Sequence, residues 1–179
     1  MTDPVLTHMA AATLAIIFLV GAWQKLRDRM IFEISVDAYE LVPLALVAPL
    51  ALLLPIMEGA AGALLVTPSM RLPGAVLAAC VLFVVTAAVV INLLRGHTDV
   101  GCGCGGVEDE QTLSWALVVR NAVLGAVLML SLATPASRVL VWLDYVSTAA
   151  GAIALYGLYV LANQLIANQP RLLSLRNPA

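Results

Sequence analysis

Residues Pro73 to Leu94 read PGAVLAACVLFVVTAAVVINLL, twenty-two positions without one Asp, Glu, Lys or Arg. Crossing the hydrocarbon core of a bilayer takes about 20 predominantly apolar residues in a helix. The stretch meets that length, and inside a bilayer a helix is the form that satisfies its own backbone hydrogen bonds. It is therefore read as a membrane span. Four other stretches resemble it: Thr7 to about Gln24, Leu41 to Val66, Leu113 to about Ala133, and about Val146 to Ile166. Composition agrees. The chain is 62% hydrophobic and 11% charged over 179 residues, against about 25% charged for an ordinary soluble domain. The expected fold is all-α: an integral membrane bundle of about five transmembrane helices, forming a single membrane-embedded domain over 1–179.

The elements around these spans follow from smaller signals. Pro43, Pro49 and Pro55 lie in the second stretch, and neighbouring helices can satisfy the carbonyls they free. Gly59, Gly62 and Ala63 in the same stretch would let helices approach closely. Between the first two spans, Lys25 to Glu40 interleaves charged residues with Ile31, Phe32, Ile34 and Val36. That pattern suits a short interfacial helix, or else a solvated loop. The tail 168–179 reads as mobile or surface-bound. The first stretch has no basic region or small-residue cleavage signal ahead of it, so it is expected to be retained.

The chemistry concentrates in the loop 95–112, which holds Gly101-Cys102-Gly103-Cys104-Gly105 along with Arg95, His97, Asp99, Glu108, Asp109 and Glu110. A disulfide across one residue is geometrically demanding, and glycine eases it. Disulfide exchange, a soft-metal site using Cys102, Cys104 and His97, and a purely structural loop are the three readings. Cys80, in the third span, is expected to be a buried small hydrophobe. A helix beginning near Val107 would set Cys104 just ahead of its positive end, which favours a thiolate; the acidic run there opposes it.

Ionisable and amide groups at membrane depth mark functional sites by default. Lys25, Glu58, Asn92 and Arg120 are the candidates. They could form a polar pocket beneath the cysteine loop that stabilises a thiolate, holds a quinone headgroup or receives a partner's loop. Interhelix hydrogen bonding with a snorkelling Arg120 is the plainer account. A direct Glu58–Arg120 pair is not expected. His97 could shuttle a proton to a leaving thiolate, or be incidental.

Taken together, Trp23-Gln24-Lys25-Leu26, Phe32, Tyr39-Glu40-Leu41-Val42-Pro43, Glu58 within Pro55 to Gly59, and Cys102-Gly103-Cys104 after Asn92-Leu93-Leu94-Arg95-Gly96 resemble the methylamine utilisation protein MauE family, related to DoxX-like membrane proteins. The resemblance covers roughly Leu14 to Gly125. It implies a membrane component for maturing methylamine dehydrogenase, whose periplasmic small subunit bears several disulfides, together with a thioredoxin-like partner, MauD. It carries function to Cys102 and Cys104, with Glu58 a weaker candidate, and suggests a bundle similar to that of vitamin K epoxide reductase. The family often places an aromatic residue and then glycine after the second cysteine, where this chain has Gly105-Gly106.

Sidedness draws opposed expectations. Five spans put the loop on the side of Lys25, Arg27, Arg29, Arg95, Arg171 and Arg176, with Arg71 and Arg138 opposite. The positive-inside rule then favours the cytoplasm. A disulfide catalyst belongs on the oxidising side. With the family in view, the reading adopted is an inner-membrane protein with its loop towards the periplasm. It acts by thiol–disulfide exchange: one cysteine attacks a partner disulfide as thiolate and the other resolves the adduct. A thioredoxin-like domain or a quinone resets the pair. A docking adaptor without chemistry and a soft-metal handler are the alternatives. The net charge of −2 and the lack of a basic patch argue against nucleic acid.

Overall fold

A computed structural model describes residues 2–98, 100–102, 111–134, 136 and 138–176. Among them the chain is helical, with one isolated antiparallel bridge, Gly101 to Thr112. The helices are α1 (Pro4–Arg27), α2 (Arg29–Ala38), α3 (Leu44–Val66), α4 (Arg71–Arg95), α5 (Trp115–Ser131) and α6 (Trp142–Arg176). A single 3-10 turn, Pro68–Met70, joins α3 to α4. Helices α1, α3, α4 and α6 are long and apolar enough to cross a membrane; α5 is apolar but has 17 residues, at the short limit of about 17–25. The five apolar runs and the short helix after the first all appear.

The first span is the hub of the bundle. It packs on α3, α5 and α6 and supplies Leu14, Ala15, Ile17 and Phe18 to the main core. Ala61 and Leu65 of α3, Ala75, Ala78 and Val81 of α4, and Leu124 and Leu128 of α5 complete it. Close packing of α1 on α3 depends on Gly62: a Cβ there would stand 2.9 Å from Leu19 Cγ and 3.1 Å from the Ala15 carbonyl oxygen. Gly59 contributes a looser contact, 3.4 Å to Ala22 Cβ. Ala63 is exposed, and Ala61 does the close packing in its place. Gly62→Ala is expected to destabilise by about 1–3 kcal/mol, the usual cost of overpacking. Gly157→Ala on α6, where nothing lies within 4 Å, should cost nothing. Unfolding of the two purified variants by graded denaturing detergent checks the contrast.

Pro43 caps α3, while Pro49 and Pro55 are accommodated inside a continuous helix. The outward residues are large and apolar, such as Phe83 (73% exposed), Leu94 and Met129, which suits contact with lipid chains. Cys80 belongs to this outer face: it is a free thiol and exposed, not enclosed by the bundle as expected. Hydropathy marks a residue as apolar without telling lipid from protein as its neighbour. Helix α6 also outruns its expected end at Ile166 and continues to Arg176, so 168–176 is helical rather than a loose tail.

The two ends of the bundle differ. At one end, Asp3 caps α1 through the Val5 N–H at 2.8 Å and meets Arg138, which makes two bonds to Asp144 at 2.9 and 2.8 Å. The Val5 amide, then Arg138, hold the Asp3 carboxyl below the ordinary carboxylate range. Arg71 meets His8 on that side, Nη2 to Nδ1, at 2.9 Å. The cysteine loop lies at the other end.

A candidate thiol–disulfide site above a polar cavity

Helix α4 stops at Gly96, whose φ of +80° is the left-handed conformation glycine takes without strain. The His97 N–H donates to the Asn92 carbonyl at 3.0 Å. Residues 100–102 then pair with 111–113: the Cys102 N–H donates to the Gln111 carbonyl at 2.8 Å and the Leu113 N–H to the Val100 carbonyl at 3.2 Å. This pairing folds Cys102 inward, 6% exposed, against Val89, Leu113 and Leu117. It also explains a correction. Helix α5 begins at Trp115 with Ser114 as its cap, not near Val107, because Gln111 to Leu113 are extended against the first half of the loop. Cys104, Asp99 and Glu108 to Glu110 lie outside the described residues.

Cys102 is disulfide-bonded. The Tyr39 hydroxyl donates to its carbonyl at 3.2 Å, which ties the loop to the end of α2. Burial pushes the Tyr39 phenol up to about 12, and the charge of Arg120 offsets part of that. Tyr39 thus remains a protonated donor across the range in which thiols titrate.

Beneath the loop, α1, α3, α4, α5 and α6 enclose a cavity of about 150 Å³. Lys25 Nζ and Glu58 Oε2 meet in it at 2.5 Å, with side chains 11% and 14% exposed. The Lys25 ammonium also lies 5.7 Å from the centre of the Phe32 ring, within cation–π reach. Glu58 stands fourteen residues past the start of α3, about 21 Å down the helix at 1.5 Å per residue. Lys25 is level with it because α1 ends short of the loop, and α2 carries the chain back to Tyr39. Gly21 makes room for the carboxylate: a Cβ there would be 2.8 Å from Glu58 Oε1.

On the opposite wall, the Arg120 Nη1 donates to Asn163 Oδ1 at 3.0 Å, and Nε and Nη2 to Asn121 Oδ1 at 3.2 and 3.1 Å. Asn121 Nδ2 donates to Thr86 Oγ1 at 2.9 Å. Lys25, Glu58 and Arg120 thus share one cavity, with no direct Glu58–Arg120 bond among the contacts described.

Two candidates fall elsewhere. Asn92 is fully buried and its Nδ2 donates to the Ala88 carbonyl at 3.1 Å, while its Oδ1 has no hydrogen-bond partner among the described residues. It does not line the cavity. His97 is exposed and stands outside it too. Among the described residues, no three His, Cys, Asp or Glu side chains gather as a metal site. Sequence reasoning missed Tyr39 and Asn163 as parts of the site. Tyr39 closes an amphipathic segment and Asn163 interrupts an apolar run, and the latter was the one available signal.

The family model for methylamine utilisation protein MauE matches residues 3–134. MauE of Paracoccus denitrificans is 41% identical over 121 residues, covering 68% of this chain and 64% of the relative. MauE of Methylophilus methylotrophus is 36% identical over 102 residues, 57% of this chain and 54% of the relative. MauE of Methylorubrum extorquens is 33% identical over 151 residues, 84% and 76% respectively. The chain thus matches somewhat less than two thirds of the length of the first two. No solved structure matches it.

Proposed function

The chain belongs to the MauE family of methylamine utilisation proteins, and from that premise we propose that it is a membrane thiol–disulfide exchange component serving protein maturation. The observation that carries the reading is Cys102: disulfide-bonded, folded inward by loop pairing, and held by Tyr39 at the end of a helix bundle. In the forward step, a partner thiolate attacks the Cys102–Cys104 disulfide. An S–S bond to the partner forms, the internal bond breaks, and one cysteine leaves as thiolate. The partner's second thiolate then attacks the mixed disulfide. The partner departs oxidised and the pair remains as two thiols. Run backwards, the same steps let either cysteine attack a partner disulfide. The partner is a thioredoxin-like protein of the MauD kind, and the final client is the disulfide-rich small subunit of methylamine dehydrogenase. The protein sits in the inner membrane with its loop towards the periplasm, where disulfides persist. Lys25, Glu58 and Arg120 hold the polar cavity under the loop, and Asn92 and His97 support its frame.

Two measurements test this. A membrane-impermeant thiol reagent applied to intact cells should label the pair after reduction and hardly before. Cys102→Ser or Cys104→Ser alone should trap the partner as a covalent adduct, dissolved by dithiothreitol. If the double serine variant still supports maturation in full, the protein is a docking adaptor and the exchange reading fails. Labelling only after the cells are permeabilised would place the loop in the cytoplasm.

A further inference from the structure

Each turnover of the exchange just proposed leaves two electrons and two protons on the cysteine pair, and something must take them away. The chain holds three cysteines, of which Cys80 is exposed on the outer face of α4, so no second internal pair can act as a relay. Resting on that reading, we infer that the apolar cavity between α2, α3 and α4 admits a lipid-soluble quinone that reoxidises the pair through Cys102.

The cavity is distinct from the polar one. It has a volume of about 350 Å³, and Phe32, Tyr39, Leu54, Phe83, Ala87 and Cys102 are among the residues that line it. Small-molecule sites occupy about 300–1,000 Å³ and are mostly apolar, with a few placed polar groups. Three observations favour a quinone over a water-soluble oxidant. First, Cys102 is 6% exposed and lines the apolar cavity. Second, the α4 wall faces outward into the lipid: Phe83 is 73% exposed and Val84 51%. A ligand dissolved in the bilayer thus reaches the opening without crossing water. Third, the polar side chain bonded to Cys102 in this lining is Tyr39. Its hydroxyl donates to the Cys102 carbonyl and keeps lone pairs that accept from the hydroxyl of a hydroquinone. A lipid acyl chain would fit the walls but has no use for that group and carries no oxidising power.

The balance closes. Two cysteine thiols and one quinone give one disulfide and one hydroquinone: two electrons and two protons pass to the ring oxygens, and an S–S bond forms. The quinone is a substrate here, and the hydroquinone leaves the way it came.

The test uses the full chain in lipid nanodiscs, reduced with a phosphine and freed of it. Decyl-ubiquinone is the probe, because its fully substituted ring does not add thiols. The expected result is one hydroquinone per protein, formed as the two loop thiols disappear. Ala87→Phe fills the cavity and should slow this step at least about tenfold while leaving exchange with oxidised thioredoxin at its parental rate. Tyr39→Phe, which keeps the ring, should slow it less. If the reduced protein exchanges with oxidised thioredoxin but never reduces the quinone, the inference is wrong and the exchange reading stands. The same holds if Ala87→Phe reduces it at the parental rate. If neither oxidant restores the disulfide, the exchange reading itself is overturned.

Discussion

Lys25→Met is expected to cost the folded bundle about 3–5 kcal/mol, the range seen when one partner of a buried ion pair is removed. The methionine keeps most of the aliphatic stem, so packing changes little; what changes is that Glu58 becomes a carboxylate without its cation. At 14% exposure, about 21 Å into α3, it has little water to turn to. Glu58→Leu should be comparably damaging, since it strands the Lys25 ammonium near Phe32. The decisive variant is Lys25→Met with Glu58→Leu. Replacing a buried pair with apolar residues is often neutral or stabilising by about 1–4 kcal/mol, so the double change should recover most of what either single change loses. Graded unfolding of the four proteins in detergent gives the coupling energy. Losses that simply add would mean that the two groups solvate independently and that the close contact contributes nothing. A double variant that folds well yet exchanges disulfides slowly would show that the charges are kept for the chemistry rather than for the fold.

That pair also marks where the sequence stops being informative. The runs Pro73 to Leu94 and Thr7 to Gln24 announce themselves, because a bilayer imposes length and composition on whatever crosses it. The register between two spans is not written in either alone. Nothing local tells that α1 ends level with Glu58, so the direct Lys25–Glu58 contact could not be read from either span. The start of α5 was misread for a different reason. Acidic residues favour a helix's first turn, but here Gln111 to Leu113 satisfy their backbone by pairing with Val100 to Cys102, a long-range choice that local propensity cannot see. The end of α6 was misread because apolar content falls after Ile166 while the backbone stays helical to Arg176. Cys102 itself was legible from its glycine-flanked spacing. Its inward turn comes from the pairing of 100–102 with 111–113, and its tether to Tyr39 and the apolar cavity beside it from the packing of α2 against α3; no motif encodes either.

Arg120→Leu should be the second most damaging change, because one guanidinium ties together helices that share little else. Helix α6 packs mainly on α1, and α5 on α1 and α4; the hydrogen bond from Arg120 to Asn163 spans α5 and α6 directly. On its other side, Arg120 fixes Asn121, which in turn reaches Thr86 on α4. The Tyr159 ring, with the guanidinium carbon 6.0 Å from its centre, adds a further contact on α6. Hydrogen bonds to a charged group are worth about 1.5–3 kcal/mol each. Leucine would remove several and leave the Asn121 oxygen two donors short and the Asn163 oxygen one. A net loss of about 3 kcal/mol is expected, within what charged-group deletions cost. Arg120→Lys should fall between, since a lysine is a point donor that cannot hold two amide oxygens in the planar fork arginine offers. Two readouts separate a tie between helices from a mere filler of space. The cycle with Asn163→Leu should show coupling well above the level of about 0.5 kcal/mol at which independent sites add. Hydrogen exchange should rise along the α6 backbone near Asn163 more than along α1, because opening is local where tertiary contacts are few. If Arg120→Leu unfolds like the parent and α6 exchanges no faster, the guanidinium is an ornament of the cavity wall, and the loop above it is held in place by other contacts, such as the Tyr39 hydroxyl and the pairing of 100–102 with 111–113.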